Sequence, residues 1–369
     1  MKRVVVGISG GVDSSVAAML LRDEGWDVLG VFMKNWEEEG GECPAEADAA
    51  DARAACDKLG IPFYAVNLSK TYYDRVFSAF VRDVEAGLTP NPDVMCNVEV
   101  KFGAFLDFAL KADAQALATG HFARVRGEAG SRELLRGIDG GKDQSYFLSR
   151  LSQGQLARAV FPVGHLTKRQ VRELARQAGL PTAEKRDSTG ICFIGERRFR
   201  EFLAGYVAMR PGDIVDDSGR RIGRHGGVAG YTLGQRNGLG IGGGFSERAE
   251  PWFVIGKDVA GNRLIAAHGD HPALWSERLT ARDIHWIGDA PEEGECLTAK
   301  IRYRQPDQAC RVVLLDEGCA EIVFEQPQRA ATPGQHVVLY RGEVCLGGGI
   351  IDRTVPVDAQ AAASAASRR

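Results

Sequence analysis

Residues 3–15 read RVVVGISGGVDSS, an apolar run followed by a turn of glycine and serine and then by the start of a helical pattern. A short apolar run that ends in a turn is typical of a buried parallel strand. Glycines let the backbone approach an anion closely, serine hydroxyls add donors, and a helix N-terminus favours negative charge. The stretch therefore predicts a phosphate-binding loop between the first strand and the first helix of a parallel sheet.

The predicted loop differs from a Walker P-loop. The pattern Gly-x-x-x-x-Gly-Lys-[Ser/Thr] does not occur in the sequence, and the loop carries an acid, Asp13, and no lysine. A carboxylate beside phosphate oxygens is suited to hold Mg²⁺. A simple turn that caps a helix, with Asp13 on its first turn, stays open as the alternative. The stretch 238–243 formally matches Gly-x-Gly-x-x-Gly, but no βαβ pattern surrounds it, so it is interpreted as a loop.

Strand and helix patterns alternate outward from this loop. Apolar runs and helical patterns follow one another at 3–8, 16–24, 26–33, 48–59, 62–68, 98–112 and 115–119. This alternation predicts an α/β fold with a doubly wound parallel sheet. A hairpin is expected at 124–138 and a basic helix at 167–178.

The second half of the sequence has a different pattern. Gly-rich loops between short strands begin near residue 205, and four short β-branched runs between 296 and 340 indicate a small barrel or sandwich. We therefore expect three domains and a disordered tail, at 1–204, 205–275, 276–358 and 359–369.

Charge and cysteine usage limit the class of protein. The net charge of −3 gives no global sign of nucleic-acid binding, although a local basic face would be sufficient. No secretory signal and no membrane-spanning apolar run is recognised in the sequence. The eight cysteines form no Cys-x-x-Cys pair, which argues against a metal site with paired thiolates. A cytoplasmic location is expected.

Two of the cysteines lie in polar or turn-forming sequence. Residues 89–97 read TPNPDVMCN, which places Cys96 near a predicted helix N-terminus, where a thiolate is stabilised, and Asp93 close enough to exchange protons. Cys192 lies in the basic loop 185–197, whose cations would lower the pKa of its thiol. A buried structural cysteine is the alternative for Cys96. The other six cysteines lie in helix- or strand-like stretches and are interpreted as packing residues.

Together these motifs resemble a known family. The loop at Ser9–Ser15 resembles the pyrophosphate loop of N-type ATP pyrophosphatases, which cut ATP between the α and β phosphates. With Asn91–Asn97 and Ser188–Gly195, the chain is identified as a member of the MnmA family of tRNA-specific 2-thiouridylases, nearly end to end. The resemblance implies a parallel sheet of the adenine nucleotide hydrolase type in the N-terminal domain.

The resemblance also implies a reaction. An enzyme of this family adenylates the C2 oxygen of the wobble uridine in tRNAs for Lys, Glu and Gln, and a cysteine persulfide then supplies sulfur to give 2-thiouridine, AMP and pyrophosphate. The implied cofactors are ATP and Mg²⁺. The implied partners are tRNA and a persulfide donor, either a cysteine desulfurase or a sulfur-relay protein.

Residue roles are implied in the same way. Cys192 would carry the persulfide, Cys96 would be the second catalytic cysteine and form a disulfide with it, and Asp93 would be the acid/base. Residues implied to hold the nucleotide, with Asp13 reaching Mg²⁺ through ATP, are Gly7, Ile8, Ser9, Gly10, Gly11, Val12, Asp13, Ser14, Met33 and Gly120. Residues implied to contact tRNA are Asn91, Pro92, Asp93, His121, Lys142, Asp143, Gln144, Arg302, Tyr303 and Gln335.

A run of basic residues follows Cys192. Beside a reactive cysteine such a run predicts a surface that contacts RNA phosphates, although a solvated face is the simpler interpretation. Its members are Arg197, Arg198, Arg200, Arg210, Arg220, Arg221, Arg224 and His225.

Two other functions share part of this pattern. An ATP pyrophosphatase with a nitrogen nucleophile, such as an amidotransferase or argininosuccinate synthase, would need the phosphate loop but neither cysteine. A non-catalytic RNA- or nucleotide-binding adaptor would not need Asp13, Asp93, Cys96 and Cys192 together. Pyrophosphate release that depends on tRNA separates these functions.

Overall fold

The computed structural model describes residues 2–37, 44–187, 199–241, 250–316 and 318–358. The strands within these residues are β1 (Arg3–Gly7), β2 (Asp27–Lys34), β3 (Phe63–Asn67), β4 (Ala116–Ala118), β5 (Ala123–Arg126), β6 (Glu133–Arg136), β7 (Ala159–Val160), β8 (Gly212–Val215), β9 (Arg221–His225), β10 (Trp252–Asp258), β11 (Arg263–His268), β12 (Trp275–Trp286), β13 (Cys296–Lys300), β14 (Gln308–Asp316), β15 (Cys319–Arg329), β16 (His336–Arg341) and β17 (Val344–Pro356). The α-helices are α1 (Val12–Asp23), α2 (Pro44–Leu59), α3 (Ser69–Tyr72), α4 (Ser78–Glu85), α5 (Pro92–Met95), α6 (Phe105–Lys111), α7 (Gln153–Leu156), α8 (Lys168–Gln177) and α9 (Phe199–Leu203).

The N-terminal sheet is parallel throughout, in the order β3-β2-β1-β4-β7. Its central strand β1 is buried on both faces: Val5 packs in one hydrophobic cluster, and Val4 and Val6 pack in another with helix α1. Helices therefore cover both faces of the sheet, which confirms the predicted doubly wound α/β fold. The carboxyl ends of its strands share one edge, where ligands bind in folds of this kind.

Two helical regions are longer than the sequence pattern predicted. Helix α1 begins at Val12 rather than at residue 16, directly after the glycine turn. Helix α5 begins at Pro92 rather than at residue 98 and continues through wider π turns at Cys96–Ala104 into α6. Prolines are accepted at a helix start because the first N–H groups need no helical partner.

Residues 69–85, which the sequence analysis left unassigned, are helical. Their buried positions Tyr72, Val76, Phe80 and Val84 recur every four residues, so the signal was present in the sequence. No helix in the part of the chain that the structure describes is long and apolar enough to cross a membrane.

The second half of the chain is built from β-strands. Strands β8–β11 form a four-stranded sheet in the order β10-β11-β8-β9. Strands β12–β17 follow the order β12-β15-β14-β13-β16-β17, and an additional pairing of β12 with β17 closes them into an antiparallel barrel. The predicted C-terminal barrel is therefore confirmed. The domain boundaries remain a prediction, and the expected tail at 359–369 lies outside the described residues.

The predicted hairpin at 124–138 forms, as strands β5 and β6, but in an unexpected place. Strand β6 pairs with β17, so the hairpin extends the sheet of the C-terminal barrel. The Arg136 guanidinium lies 3.6 Å from the centre of the Tyr340 ring and donates to the Gly342 carbonyl. This junction attaches the barrel to the N-terminal domain by backbone hydrogen bonds.

Candidate active site

The predicted phosphate loop folds back on the start of α1. Gly10 has a φ of +77°, and a β-carbon there would lie 2.3 Å from the Asp48 carbonyl oxygen. The Ser9 amide donates to the Ser14 hydroxyl at 3.1 Å, and that hydroxyl lies 3.1 Å from the Gly11 carbonyl oxygen, to which it donates. Gly11 occupies the N-cap position and brings no capping side chain. The first amides of α1 are therefore left as donors for an anion.

Gly120 forms the facing wall of the loop. A β-carbon on Gly120 would lie 2.6 Å from the Ser14 nitrogen and 2.8 Å from the carbonyl carbon of Asp13. Only glycine allows β4 to end this close to the start of α1. The neighbouring His121 ring is hydrogen-bonded to the Thr119 hydroxyl at 2.7 Å, and its removal from water lowers the His121 pKa well below the usual value. The imidazole is therefore neutral near pH 7.

The other residues predicted to hold the nucleotide lie along the same edge. The Ile8 amide donates to the Val31 carbonyl at 3.0 Å, which extends the pairing of β1 with β2 past Gly7. Met33, near the end of β2, is partly buried and packs against one hydrophobic core. The carboxyl ends of β1, β2 and β4 thus meet at one place, as the rule for parallel sheets requires.

Lys168 is a charged residue of this site that the sequence analysis missed. Its ammonium contacts both carboxylate oxygens of Asp13 at 2.7 Å, although the two residues are 155 positions apart. It is the first residue of α8, where Thr167 and Gln170 form a capping box. Burial raises the pKa of Asp13, and the contact with Lys168 opposes that rise. A phosphate loop that has no lysine of its own thus receives one from another helix.

Asp187 joins Lys168 to two further cations. Its carboxylate accepts from Lys168 and Lys142 at 2.7 Å each and from Arg172 at 2.8 Å. Burial alone would raise the pKa of Asp187, but Lys142 and Lys168 outweigh burial and lower it to about 2. The cluster carries more positive than negative charge, which suits it to a polyanion. The capping box at 167–170 was a sequence signal for Lys168, but no local pattern pointed to its pairing with Asp13.

Cys96 lies one turn into the helical segment that begins at α5. The Asn91 side chain caps this helix by accepting from the Asp93 amide at 3.2 Å, so the helix N-terminus lies before Cys96 and not after it as the sequence pattern predicted. The Cys96 side chain has no exposed surface and packs in the same hydrophobic cluster as Phe102. A thiol buried in this way reacts only after the groups above it move.

Residues 142–147 connect the phosphate loop to the thiol loop, which we define as residues 89–96. At one end Lys142 binds Asp187. In the middle the Gln144 side chain accepts from the Phe122 amide at 3.0 Å. At the other end the Phe147 carbonyl accepts from the Asn97 amide group at 3.1 Å. The two loops therefore belong to one continuous hydrogen-bonded site.

Three known families match the chain in succession. Residues 2–196 match the family described as tRNA methyl transferase HUP domain. Residues 200–268 match the tRNA methyl transferase PRC-barrel domain. Residues 276–351 match the aminomethyltransferase beta-barrel domain. The first match alone covers more than half of the chain.

Similar full-length proteins carry one name. The chain is 54% identical to the tRNA-specific 2-thiouridylase MnmA of Methylobacillus flagellatus over 354 residues, which are 95% of this chain and 98% of that protein. The chain belongs to the MnmA family. It is also 53% identical to the MnmA of Alkaliphilus oremlandii, over 95% of this chain and 97% of that protein. Identity to MnmA 2 of Geobacillus kaustophilus is 55%, over 95% and 94%. The resemblance found in the sequence motifs is thereby confirmed.

Several residues that the MnmA resemblance assigns to tRNA lie around the thiol loop. The Tyr303 ring centre is 4.4 Å from that of Phe147, and the Gln335 side chain donates to the Thr89 carbonyl at 2.6 Å. The exposed Arg302 also donates, to the Ala330 carbonyl at 3.0 Å. The structure therefore brings Gln335 to the first residue of the thiol loop and Tyr303 to Phe147, whereas the contact of Arg302 lies within the C-terminal half of the chain.

Asp143, which the resemblance implies to contact tRNA, is buried rather than exposed. Its side chain is 5% exposed, and its carboxylate accepts from the Gly137 and Ser145 amides and from the Ser145 hydroxyl. This carboxylate holds the hairpin and the connecting segment together. In this MnmA family member any effect of Asp143 on RNA therefore passes through the segment that it fixes.

The basic run after Cys192 is only partly a basic surface. Cys192, Arg197 and Arg198 lie outside the described residues. Of the rest, Arg210 and Arg224 are exposed, and the equally exposed Arg220 and Arg221 form ion pairs with Asp216 and Asp213.

Two other members of the run face inward. His225 is 2% exposed and accepts from the Gly227 amide, which contradicts its assignment to the RNA surface. Arg200 lies 4.0 Å from the centre of the Tyr231 ring and donates to the Gly230 carbonyl. Arg200 thus attaches α9 to the segment that follows β9, whereas His225 is hydrogen-bonded within the region of the four-stranded sheet. A linear list of charges cannot reveal these contacts.

The remaining cysteines divide into two groups. Burial raises the pKa of Cys56 to about 11 and those of Cys310 and Cys345 to about 12, so these thiols are unreactive packing groups, as predicted. Cys296 and Cys319 are exposed on strands, so their interpretation as packing residues was wrong. Alternation along a strand placed them on its outer face. Cys43 lies outside the described residues.

Proposed function

We propose that this chain is an ATP-dependent tRNA-uridine 2-sulfurtransferase. It converts the wobble uridine of tRNAs for Lys, Glu and Gln to 2-thiouridine and releases AMP and pyrophosphate. The observation that carries the proposal is that residues 142–147 connect an uncapped phosphate loop to a thiol loop, at one end through Asp187 and Lys168 and at the other through Asn97. Identity of 54% to a named 2-thiouridylase over 95% of the chain supports it.

The phosphate loop fits the triphosphate of ATP. Its glycines permit close backbone approach, the first amides of α1 are donors, and Lys168 adds a cation beside Asp13. The described residues hold no group of three or more His, Cys, Asp or Glu side chains arranged for a metal ion. Asp13 is the carboxylate of this loop that would hold Mg²⁺, which would neutralise phosphate charge there.

In the first step the uridine O2 attacks the α-phosphorus of ATP. The bond from that phosphorus to the bridging oxygen breaks, and pyrophosphate leaves. Lys168 and the start of α1 stabilise the negative charge that develops on the phosphate oxygens. Asp93, which the structure holds at the first turn of α5, accepts the proton that the uridine ring loses. This step turns O2 into part of a leaving group.

In the second step sulfur replaces that oxygen. Cys192 receives a persulfide from a cysteine desulfurase or a relay protein. In one route its terminal sulfur attacks C2 directly, and the Cys96 thiolate then attacks the Cys192 sulfur, which breaks the S–S bond and leaves the outer sulfur on C2. In the other route the Cys96 thiolate first attacks the Cys192 sulfur and releases sulfide, which attacks C2. AMP leaves with the former O2, and both routes end with a disulfide between Cys96 and Cys192. An external dithiol must then reduce this disulfide before the next cycle.

A cytoplasmic location is part of the proposal. Cys56 and the exposed Cys296 are free thiols, and free thiols persist in a reducing compartment. The same compartment holds tRNA and the carriers of persulfide sulfur that the reaction consumes.

Nucleoside analysis of tRNA tests the proposal directly. The protein is incubated with unmodified tRNA, ATP, Mg²⁺ and a persulfide donor, and pyrophosphate release and tRNA nucleosides are measured together. We expect release that depends on tRNA, with one 2-thiouridine formed for each pyrophosphate. Release without tRNA would indicate a different acceptor, and release with tRNA but without 2-thiouridine would contradict sulfur transfer.

A further inference from the structure

Thr89, the first residue of the thiol loop, is held by both of the other domains. Its amide donates to the Pro333 carbonyl at 3.0 Å, and its carbonyl accepts from Gln335 at 2.6 Å. Its hydroxyl accepts from the Lys257 ammonium at 3.5 Å. The first two partners belong to the barrel and the third to the four-stranded sheet. Every polar group of this one residue is therefore engaged by parts of the chain that are distant in sequence.

Glycines allow the other domains to approach this closely. A β-carbon on Gly87 would lie 2.4 Å from a methyl carbon of Val259, and one on Gly334 would lie 2.8 Å from the Thr89 nitrogen. Both glycines have positive φ values, of 82° and 92°. The contacts on Thr89 are thus part of a close backbone packing of three domains.

Lys257 is an unusual group at this junction. Within the described residues its ammonium has two oxygen partners, the Gly87 carbonyl at 3.0 Å and the Thr89 hydroxyl, and forms no ion pair with a carboxylate. Burial lowers its pKa to about 8. A half-buried ammonium without a carboxylate costs folding free energy, so a stabilising role alone does not explain it.

The junction is mechanically close to the reactive thiol. Pro90 and Pro92 follow Thr89, and each fixes its own φ and restricts the residue before it. Between them Asn91 caps the helix that carries Asp93 and Cys96. A displacement of Thr89 would therefore also displace the first residues of this helix.

We infer that Thr89 is a positioning residue, through which Lys257 and Gln335 set the thiol loop for sulfur delivery. The inference rests on the proposed function. It assigns Gln335, which the resemblance gives to tRNA, a contact within the protein. The phosphate loop has no contact with this junction among the described residues, so the junction positions Asp93 and Cys96 of the thiol loop and not the groups that bind the phosphates of ATP.

Two substitutions at the junction test this role. Thr89→Val removes the hydroxyl at nearly constant volume, and Lys257→Met removes the ammonium. We expect each to slow formation of 2-thiouridine in a single turnover by roughly 10- to 100-fold, because small misplacements of a reacting group cost this much. The KM for ATP should not change, because the phosphate loop is not touched, whereas tRNA-dependent pyrophosphate release should slow as well, because Asp93 lies on the displaced loop.

Conservative and control variants separate positioning from folding. Thr89→Ser keeps the hydroxyl and should restore the rate. Arg263→Met, on the neighbouring strand β11, removes a guanidinium that binds Asp258 and should have no effect. The double variant Thr89→Val with Lys257→Met should be no slower than the slower single variant, because both remove the same contact.

A readout without activity keeps the inference separate from the proposed function. In a Cys192→Ser background, alkylation of Cys96 followed at the peptide level should be faster in Thr89→Val than in the parent. Equal alkylation of Cys96, or a raised KM for ATP, would overturn the positioning role. If the parent protein forms no 2-thiouridine at all, the proposed function fails. The alkylation rate of Cys96 still tests the positioning role of Thr89 in that case.

Discussion

The phosphate loop and the thiol loop are built in different ways. Every described contact of the phosphate loop comes from residues 9–187, all within the predicted first domain. The thiol loop is held by the barrel through Gln335 and by the four-stranded sheet through Lys257. One half of the site is thus made by a single domain, whereas the other half exists only when three domains are assembled.

Their electrostatics differ as well. The phosphate side gathers Asp13, Lys168 and Asp187 into a network of ion pairs. The thiol side is apolar and aromatic, with Cys96 buried and the Phe147 and Tyr303 rings in contact. Phosphoryl transfer needs fixed charge around the phosphates, and sulfur transfer needs exclusion of water. The two regions provide these two environments side by side.

The largest expected effect is a substitution on the thiol side of the site that stops sulfur transfer and leaves the phosphate side active. Cys96→Ser should slow 2-thiouridine formation by at least about 1000-fold, because it removes a reacting sulfur, and should leave tRNA-dependent pyrophosphate release within about twofold. The two products are measured in the same reaction. Cys319→Ser, at an exposed strand position, is the matched control. Full thiolation by Cys96→Ser would mean that an external thiol, and not Cys96, breaks the S–S bond after direct attack by the Cys192 persulfide, and would make Cys96 a packing residue.

The converse substitution is Lys168→Met. We expect kcat/KM for ATP to fall about 100-fold, because the variant loses a cation that stabilises developing phosphate charge. Acceptance of persulfide sulfur by the protein should remain normal. Arg176→Met, on the same helix but paired with Glu184, controls for loss of a surface cation. An unchanged kcat/KM would limit Lys168 to neutralising Asp13.

Acid should weaken the barrel before it weakens the phosphate network. His336, next to Gln335, is 2% exposed, and burial lowers its pKa to about 3. Below an unfolded-state pKa of about 6.5 the unfolded chain binds a proton that the folded chain does not, so about 2 kcal/mol of unfolding free energy is lost between pH 7 and pH 5. Asp187, with a pKa of about 2, keeps its charge over this range.

Chemical denaturation across this pH range measures the effect. His336→Gln should flatten the dependence of the unfolding free energy on pH, whereas the same change at the exposed His165 should not. If both variants keep the slope of the parent, protonation of His336 does not limit the stability of the barrel.

The smallest effect concerns RNA. Arg210 and Arg224 are exposed members of the basic run. If each contacts one phosphate, replacing either with Met should reduce the slope of log affinity against log salt by roughly one unit. Binding of unmodified tRNA between low and moderate salt measures the slope. Arg353→Met, on β17, is a distant control, and an unchanged slope in both test variants would place the RNA surface elsewhere.

The same comparison explains what the sequence could predict. The phosphate loop and the parallel sheet follow from residues 3–15 because every necessary residue type lies in one short stretch. Lys168 was recognisable as the start of a capped basic helix, but its pairing with Asp13 depends on how α8 packs against α1. Thr89 carries no local signal at all. Its partners are 168 and 246 positions away and are brought to it only by the assembly of the domains.

Whether a residue is exposed or buried was also hard to predict from the sequence. His225 and Arg200 belong to a run of charges that looks solvent-facing, yet one is buried and the other packs on a tyrosine. The hairpin at 124–138 was predicted, but its sheet was not, since a pattern of alternating residues defines a strand and not its neighbour.

That hairpin bears on how the chain is made. Arg136 of β6 and its partner Gly342 are 206 positions apart. More than half of the protein must therefore be synthesised after β6 before β17 can pair with its edge. An uncovered strand edge is a template for pairing with other chains. A fragment that stops before β17 carries Leu134 and Leu135, both buried in the intact protein, on that open edge. An isolated N-terminal domain therefore needs this edge blocked or removed if it is to remain monomeric.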